Sequence, residues 1–168
     1  LCKNGIHARF LKDCKSDRFE KFGMKIKAPS LKGSHILVCP SSPGIHNYLD
    51  RPNWTNETIQ QLQRVTDRPI RLRHKPRGRG TSGPSEAIVP LSEDLKDAWA
   101  CVTSCSISAV EAVCMGVPVF CDTKSFAEPM GNLHLEDIED PFYAGPEPWL
   151  YSLAYQQFTP CLLYTSPS

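Results

Sequence analysis

The chain has 168 residues, 40% of them hydrophobic and 22% charged, with a formal net charge of +1. That length admits one ordinary domain with excess at the ends, and the balance suits a chain that buries a core and stays soluble. No run of 18 apolar residues occurs, which excludes a membrane-spanning helix, and Leu1-Cys2-Lys3-Asn4 is followed by no apolar segment of the secretory kind.

Residues 1–34 carry nine Lys/Arg against three acids and read as a helix remnant plus a linker, ending near Pro29 and Gly33. His35-Ile-Leu-Val-Cys39 is a continuous apolar run closed by Pro40-Ser-Ser-Pro-Gly44, the pattern of a strand covered on both faces. Thr55 is a candidate cap for a helix running to about Thr66, with Ile59, Leu62 and Val65 as its apolar stripe. Beyond Pro69, Ile70-Arg-Leu-Arg-His74 alternates apolar with basic residues and predicts a second strand. The stretch Lys75 to Ser85, rich in Gly, Pro and Arg, predicts a loop.

Ser92 is a candidate cap for a short helix holding Leu95, Ala98 and Trp99. A strand over Ala100–Thr103 follows, then a tight turn at Ser104-Cys-Ser106 and a helix over Ile107–Met115 closed by Gly116. Val117–Cys121 reads as the next strand and Trp149–Phe158 as a last amphipathic helix. Short connections in the order β-α-β-α-β-α-β predict an α/β fold, a doubly wound Rossmann-like parallel sheet with right-handed crossovers. The expected organisation is a basic linker or remnant of a preceding domain over 1–32, the α/β domain over 33–160 and a tail over 161–168. That tail, Cys161-Leu-Leu-Tyr-Thr-Ser-Pro-Ser168, resembles a translated sequencing adapter, so a fragment of a longer chain is expected.

The eight cysteines suggest neither a disulfide framework nor a zinc site. Cys39, Cys101, Cys114 and Cys121 sit in apolar runs, and no Cys/His pairs stand at ligand spacing. Reduced, buried thiols in a cytoplasmic protein are expected. Residues 122–147 hold seven acids against one Lys, yet the spacing of Glu128, Asp137 and Asp140 gives no metal geometry, and no metal is expected.

In an open α/β sheet ligands bind at the carboxyl ends of the strands, and three such ends draw attention. Ser41 and Ser42 lie in a turn of small residues that admits a ligand to the backbone; an ordinary strand-ending turn has the same composition. Residues 68–79 hold six Arg/Lys and no acid, a concentration useful against a phosphate but equally a solvated basic loop. His74 and Lys75 fall at its strand end. A nucleic-acid role is disfavoured because no aromatic residues interleave the basic ones. In the third, Ser104 and Ser106 precede a helix whose first amides can meet a diphosphate, and the same hydroxyls can instead cap it. Glu111, set among Ala and Val, is costly if buried without a partner. Ribose hydroxyls or an Arg on a neighbouring element would both satisfy it.

Ser106-Ile-Ser-Ala-Val-Glu111-Ala-Val-Cys-Met-Gly116-Val-Pro118-Val resembles the S-x-x-x-x-E-A-x-x-x-G-x-P-V segment of GT-B glycosyltransferases. More narrowly, it is similar to capsular-polysaccharide and phage-encoded transferase-like proteins. These pair a basic His-containing strand end, comparable to Arg73-His74-Lys75-Pro76, with a segment like Asp97-Ala-Trp99-Ala-Cys-Val102-Thr103-Ser-Cys-Ser106. The resemblance extends over roughly 33–160. It implies one half of a GT-B fold, taking a nucleotide-diphosphate sugar as donor substrate with no separate cofactor, and a missing N-terminal domain that supplies the acceptor contacts. By position, Ser104 and Ser106 would meet the phosphates, Glu111 the ribose or donor sugar, and His74 with Lys75 the diphosphate, His74 being the candidate catalytic group. The usual His-Pro is His-Lys-Pro here. The mechanism expected is metal-independent glycosyl transfer in surface-polysaccharide or phage-related glycosylation, with leaving-group charge stabilised electrostatically. Two other readings compete: a nucleotide-sugar epimerase of the same fold, and a non-catalytic module binding glycan or nucleic acid.

Overall fold

The computed structural model describes residues 13–74, 89–122 and 125–156. The whole predicted loop from Lys75 to Ser85 and the tail at 161–168 lie outside them. The sheet has five parallel strands: β1 (His35–Val38), β2 (Ile70–Leu72), β3 (Ala98–Thr103), β4 (Val119–Cys121) and β5 (Gly131–Asn132), in the spatial order β2-β1-β3-β4-β5. The helices are α1 (Asp17–Glu20), α2 (Pro43–Tyr48), α3 (Trp54–Val65), α4 (Leu91–Leu95), α5 (Ser108–Cys114) and α6 (Glu147–Gln156), with 3₁₀ turns at Glu128–Met130 and Leu135–Asp137. The fold is α/β, a doubly wound Rossmann-like sheet flanked by helices on both faces.

Strand alternation divides the core in two. Ile36, Val38, Ala100, Val102 and Phe120 pack against Trp54 and Leu62 of α3 and against Ile138. Leu37, Cys39, Cys101, Val119 and Cys121 face Ala109, Ala112 and Val113 of α5, with Leu95, Trp149 and Leu150 from α4 and α6. Both faces of β1 and β3 are therefore apolar, which is why these strands appear in the sequence as unbroken hydrophobic runs. Burying side chains the size of Leu62 or Phe120 stabilises by about 1.5–3 kcal/mol each.

Several boundaries differ from the sequence expectation. Ala98 and Trp99, expected in the helix after Ser92, open β3 instead. There, Ala98 pairs with His35 across an irregularity in the β1 ladder, and pairing overrides helical propensity. α4 starts behind Pro90 without a side-chain cap, so Ser92 does not cap it. Thr55 likewise lies inside α3, behind Asn53. β4 is shorter than the predicted strand, and β5 has no counterpart among the predicted ones. Gly116 closes the α5 turn at φ +76°, as its position predicts.

The segment before β1 packs on the domain. Lys27 N–H donates to Cys114 O at 2.8 Å and Ser30 N–H to Gly116 O at 3.0 Å. α1 is held to α6 by Tyr155 Oη donating to Asp17 at 2.7 Å and by the Arg18 guanidinium lying 4.4 Å from the centre of the Tyr155 ring. Among the described residues, no helix is long and apolar enough to cross a membrane.

Candidate functional site

With the order β2-β1-β3, the chain leaves β1 toward one edge to form β2 and returns past β1 to form β3. The carboxyl ends of β1 and β3 are then the switch point of the sheet, the place where ligands generally bind in open α/β folds. The two serine-bearing segments of the sequence sit there. Cys39 N–H donates to Val102 O at 2.8 Å and Thr103 Oγ1 donates to Cys39 O at 2.8 Å, fastening the strand ends together.

Just beyond this clasp, Ser41 Oγ lies 2.8 Å from Ser104 Oγ and accepts from Cys105 N–H at 3.2 Å. Ser104 Oγ in turn lies 2.9 Å from His46 Nε2. Ser104 and His46 are buried, at 1% and 4% exposure, whereas Ser41 is half-buried. The outermost hydroxyl of these linked groups is thus that of Ser41.

Local sequence explains how His46 arrives. Pro43 stands in the first turn of α2, where its missing N–H costs nothing. The Ser42 hydroxyl accepts from Ile45 N–H at 3.4 Å. One turn later His46 points inward, its ring tilted 33° over Trp54 with centroids 5.3 Å apart. Burial pushes the His46 pKa below the ordinary imidazole value; Asp122 opposes this and Arg51 adds to it. Arg51 bridges the rim, 3.3 Å from Asp122 and 3.4 Å from Glu57.

The other candidates fare differently. Ser42 is exposed and serves as the α2 cap. Ser106 is half-buried and accepts from Ser108 N–H at 3.3 Å, while Ser104 caps nothing, because His46 and Ser41 engage it. The turn therefore does not present bare amides throughout: the Cys105 N–H is taken by Ser41.

Glu111 corrects an expectation. Its neighbours Val110 and Ala112 predict a carboxylate in an apolar setting that needs a partner. It is instead exposed on the outer face of α5 and carries no desolvation cost of that kind. Its charge still reaches inward, helping to raise the thiol pKa values of Cys101 and Cys114. His74 is exposed beyond the end of β2, on the opposite side of β1 from β3, and is not joined to the serine cluster. Its neighbour Arg73 is turned aside by an ion pair with Asp94.

Sequence reasoning missed His46, Trp54, Arg51 and Asp122. Pro43 followed by Gly44-Ile45-His46-Asn47-Tyr48 was the available signal, since Pro at the first position marks a helix that would carry His46 onto an inner face. Burial pushes the Cys105 thiol up and Cys121 to about 12, whereas the hydrogen bond with the Cys101 thiol draws Cys39 down against its burial. Among the described residues, no group of three or more His, Cys, Asp or Glu is arranged to hold a metal ion. Comparison with protein-family models, curated proteins and solved structures returned no match.

Proposed function

We propose that this domain binds a nucleotide-activated sugar in the crevice between β1 and β3 and forms the donor-binding half of a GT-B glycosyltransferase. The observation that carries the reading is the meeting of Ser41 and Ser104, 63 positions apart, at the switch point of a doubly wound sheet. Small side chains there let phosphate oxygens approach, and a hydroxyl on the rim can donate to them. Arg51 places a cation on the same rim, suited to the charge that develops on a nucleoside diphosphate leaving group.

In this reading Ser41 and Ser106 contact the phosphates, and Ser104 supports Ser41 from within. Glu111 reaches the ribose or sugar from the solvent side of α5, and His74 approaches the diphosphate from the β2 edge; Lys75, outside the described residues, is assigned to the diphosphate by its sequence position alone. A second Rossmann-like domain of the same parent chain supplies the acceptor and completes the site, in surface-polysaccharide or phage-related glycosylation.

Calorimetric titration with nucleoside diphosphates of several bases tests the reading. We expect saturable binding of at least one, weakened by about 1–3 kcal/mol in Glu111→Ala if that carboxylate holds ribose hydroxyls. Absence of binding to all of them contradicts the reading. Single-stranded oligonucleotide binding with a steep salt slope would point instead to a nucleic-acid module, and conversion of a labelled nucleotide sugar to its epimer would point to an epimerase.

A further inference from the structure

We infer that His46 is a positioning residue that sets the polarity of the Ser104–Ser41 hydroxyl chain, so that Ser41 offers its O–H outward to an anionic oxygen. This rests on the reading of the β1/β3 crevice as a diphosphate site. The argument is a count of donors and acceptors along one chain of contacts: His46 Nε2 to Ser104 Oγ at 2.9 Å, Ser104 Oγ to Ser41 Oγ at 2.8 Å, and Cys105 N–H into Ser41 Oγ at 3.2 Å.

A neutral imidazole carries its proton on one nitrogen only, and each hydroxyl has one proton and two lone pairs. With the proton on Nε2, His46 donates to Ser104, which donates to Ser41. Ser41 then accepts twice, from Ser104 and from the Cys105 amide, and its own proton meets no further acceptor among the described residues. It must point outward. With the proton on Nδ1, the two side-chain bonds reverse while the Cys105 amide still donates: Ser104 donates to His46 and Ser41 donates to Ser104. Ser41 is left showing a lone pair, which repels a phosphate oxygen.

One tautomer therefore builds an anion-binding hydroxyl and the other abolishes it, although no heavy atom moves. His46 does this while buried at 4% exposure against Trp54, with no need to touch the ligand. The charged groups nearest it are Arg51 and Asp122, both at the rim, and their opposite signs partly offset each other at the ring.

The experiment has two readouts. Nitrogen-15 NMR of the imidazole in the unliganded protein should show the Nε2–H tautomer, with the Nε2 resonance displaced in Ser104→Ala. Titration with UDP, GDP and inorganic pyrophosphate should show His46→Phe, which keeps the stack on Trp54, losing about tenfold in affinity for whichever of them the wild type binds. His46→Gln, whose terminal amide can stand near the position of Nε2, should recover most of that loss, which a merely space-filling role would not produce. A dominant Nδ1–H tautomer overturns the inference, as does a His46→Phe variant binding as wild type while Ser41→Ala is weakened. If the wild type binds none of these probes, the diphosphate reading fails, while the tautomer still decides how His46 orients the serines.

Discussion

Buried histidines convert pH into stability in this fold. His35, at 1% exposure at the start of β1, has Nε2 3.2 Å from Asp94 O, while its Nδ1 has no partner among the described residues. Nε2–H therefore donates, and protonation would add a buried N–H with nothing to accept it. Burial accordingly pushes its pKa down, with Arg71 acting in the same direction, and His46 is likewise depressed by burial. Above the unfolded imidazole value of about 6.5 both rings are neutral whether folded or not. As pH falls below that value the unfolded chain takes up protons that the folded one refuses, so stability drops until the lower folded pKa is reached. Melting curves at pH 7.5 and 5.5 should show the lower Tm at 5.5, and His35→Gln should flatten the difference. An unchanged Tm in the wild type would contradict the assignment of both rings as buried and neutral. At this scale the sequence was only partly legible. Ser41 and Ser104 stood out as hydroxyls at strand ends, but their partner His46 was marked only indirectly, by Pro43 at the start of a short helix. Glu111 misled because α5 is apolar nearly all round, so its neighbours in sequence say little about which way it faces.

Between elements, glycines mark the tightest approaches. Gly116 sits at φ +76°, and a Cβ there would overlap the Ala28 carbonyl, because the segment before β1 runs directly across the end of α5. The Lys27 and Ser30 amides depend on that closeness, bonding to Cys114 O and Gly116 O. Gly116→Ala should therefore destabilise by more than about 2 kcal/mol, combining left-handed strain with steric overlap. A denaturant midpoint within error of wild type would show that the crossing segment does not bear on α5. The Gly116 stop was readable from sequence because a single residue after a helix decides it. The start of β3 was not: Ala98 and Trp99 fit a helix by propensity, and only the ladder with β1 draws them into the strand. Trp99 also meets Arg68, whose guanidinium stacks 3.7 Å from the ring centroid and binds Glu139 at 2.9 Å, a contact between positions too distant for any local pattern.

At the level of the molecule, two features bear on where the proposed ligand would sit. The first is strand order, which the sequence predicted as doubly wound from unbroken apolar runs and short connections, although it missed β5 because a Gly–Asn pair has no strand pattern. The second is the distribution of open surface. A shallow groove lies between α3 and the Leu135–Asp137 turn, lined by Glu57, Gln60, Gln61, Arg64, Val65 and Glu136 and crossed by a Gln61–Glu136 bond of 2.9 Å. It carries acids on both walls, one of them Glu57, which also pairs with Arg51, so it suits a diphosphate poorly; the strand ends with their hydroxyls and Arg51 suit one better. The measurement that separates them is amide chemical-shift mapping during titration with uridine, guanosine and thymidine diphosphates. The account predicts that, for the nucleotide that binds, the amides of Ser41, Ser42, Cys105, Ser106 and Ile107 move while those of Gln60, Gln61 and Arg64 stay. Shifts confined to the α3 groove, or none with any of the three at millimolar concentration, would contradict it.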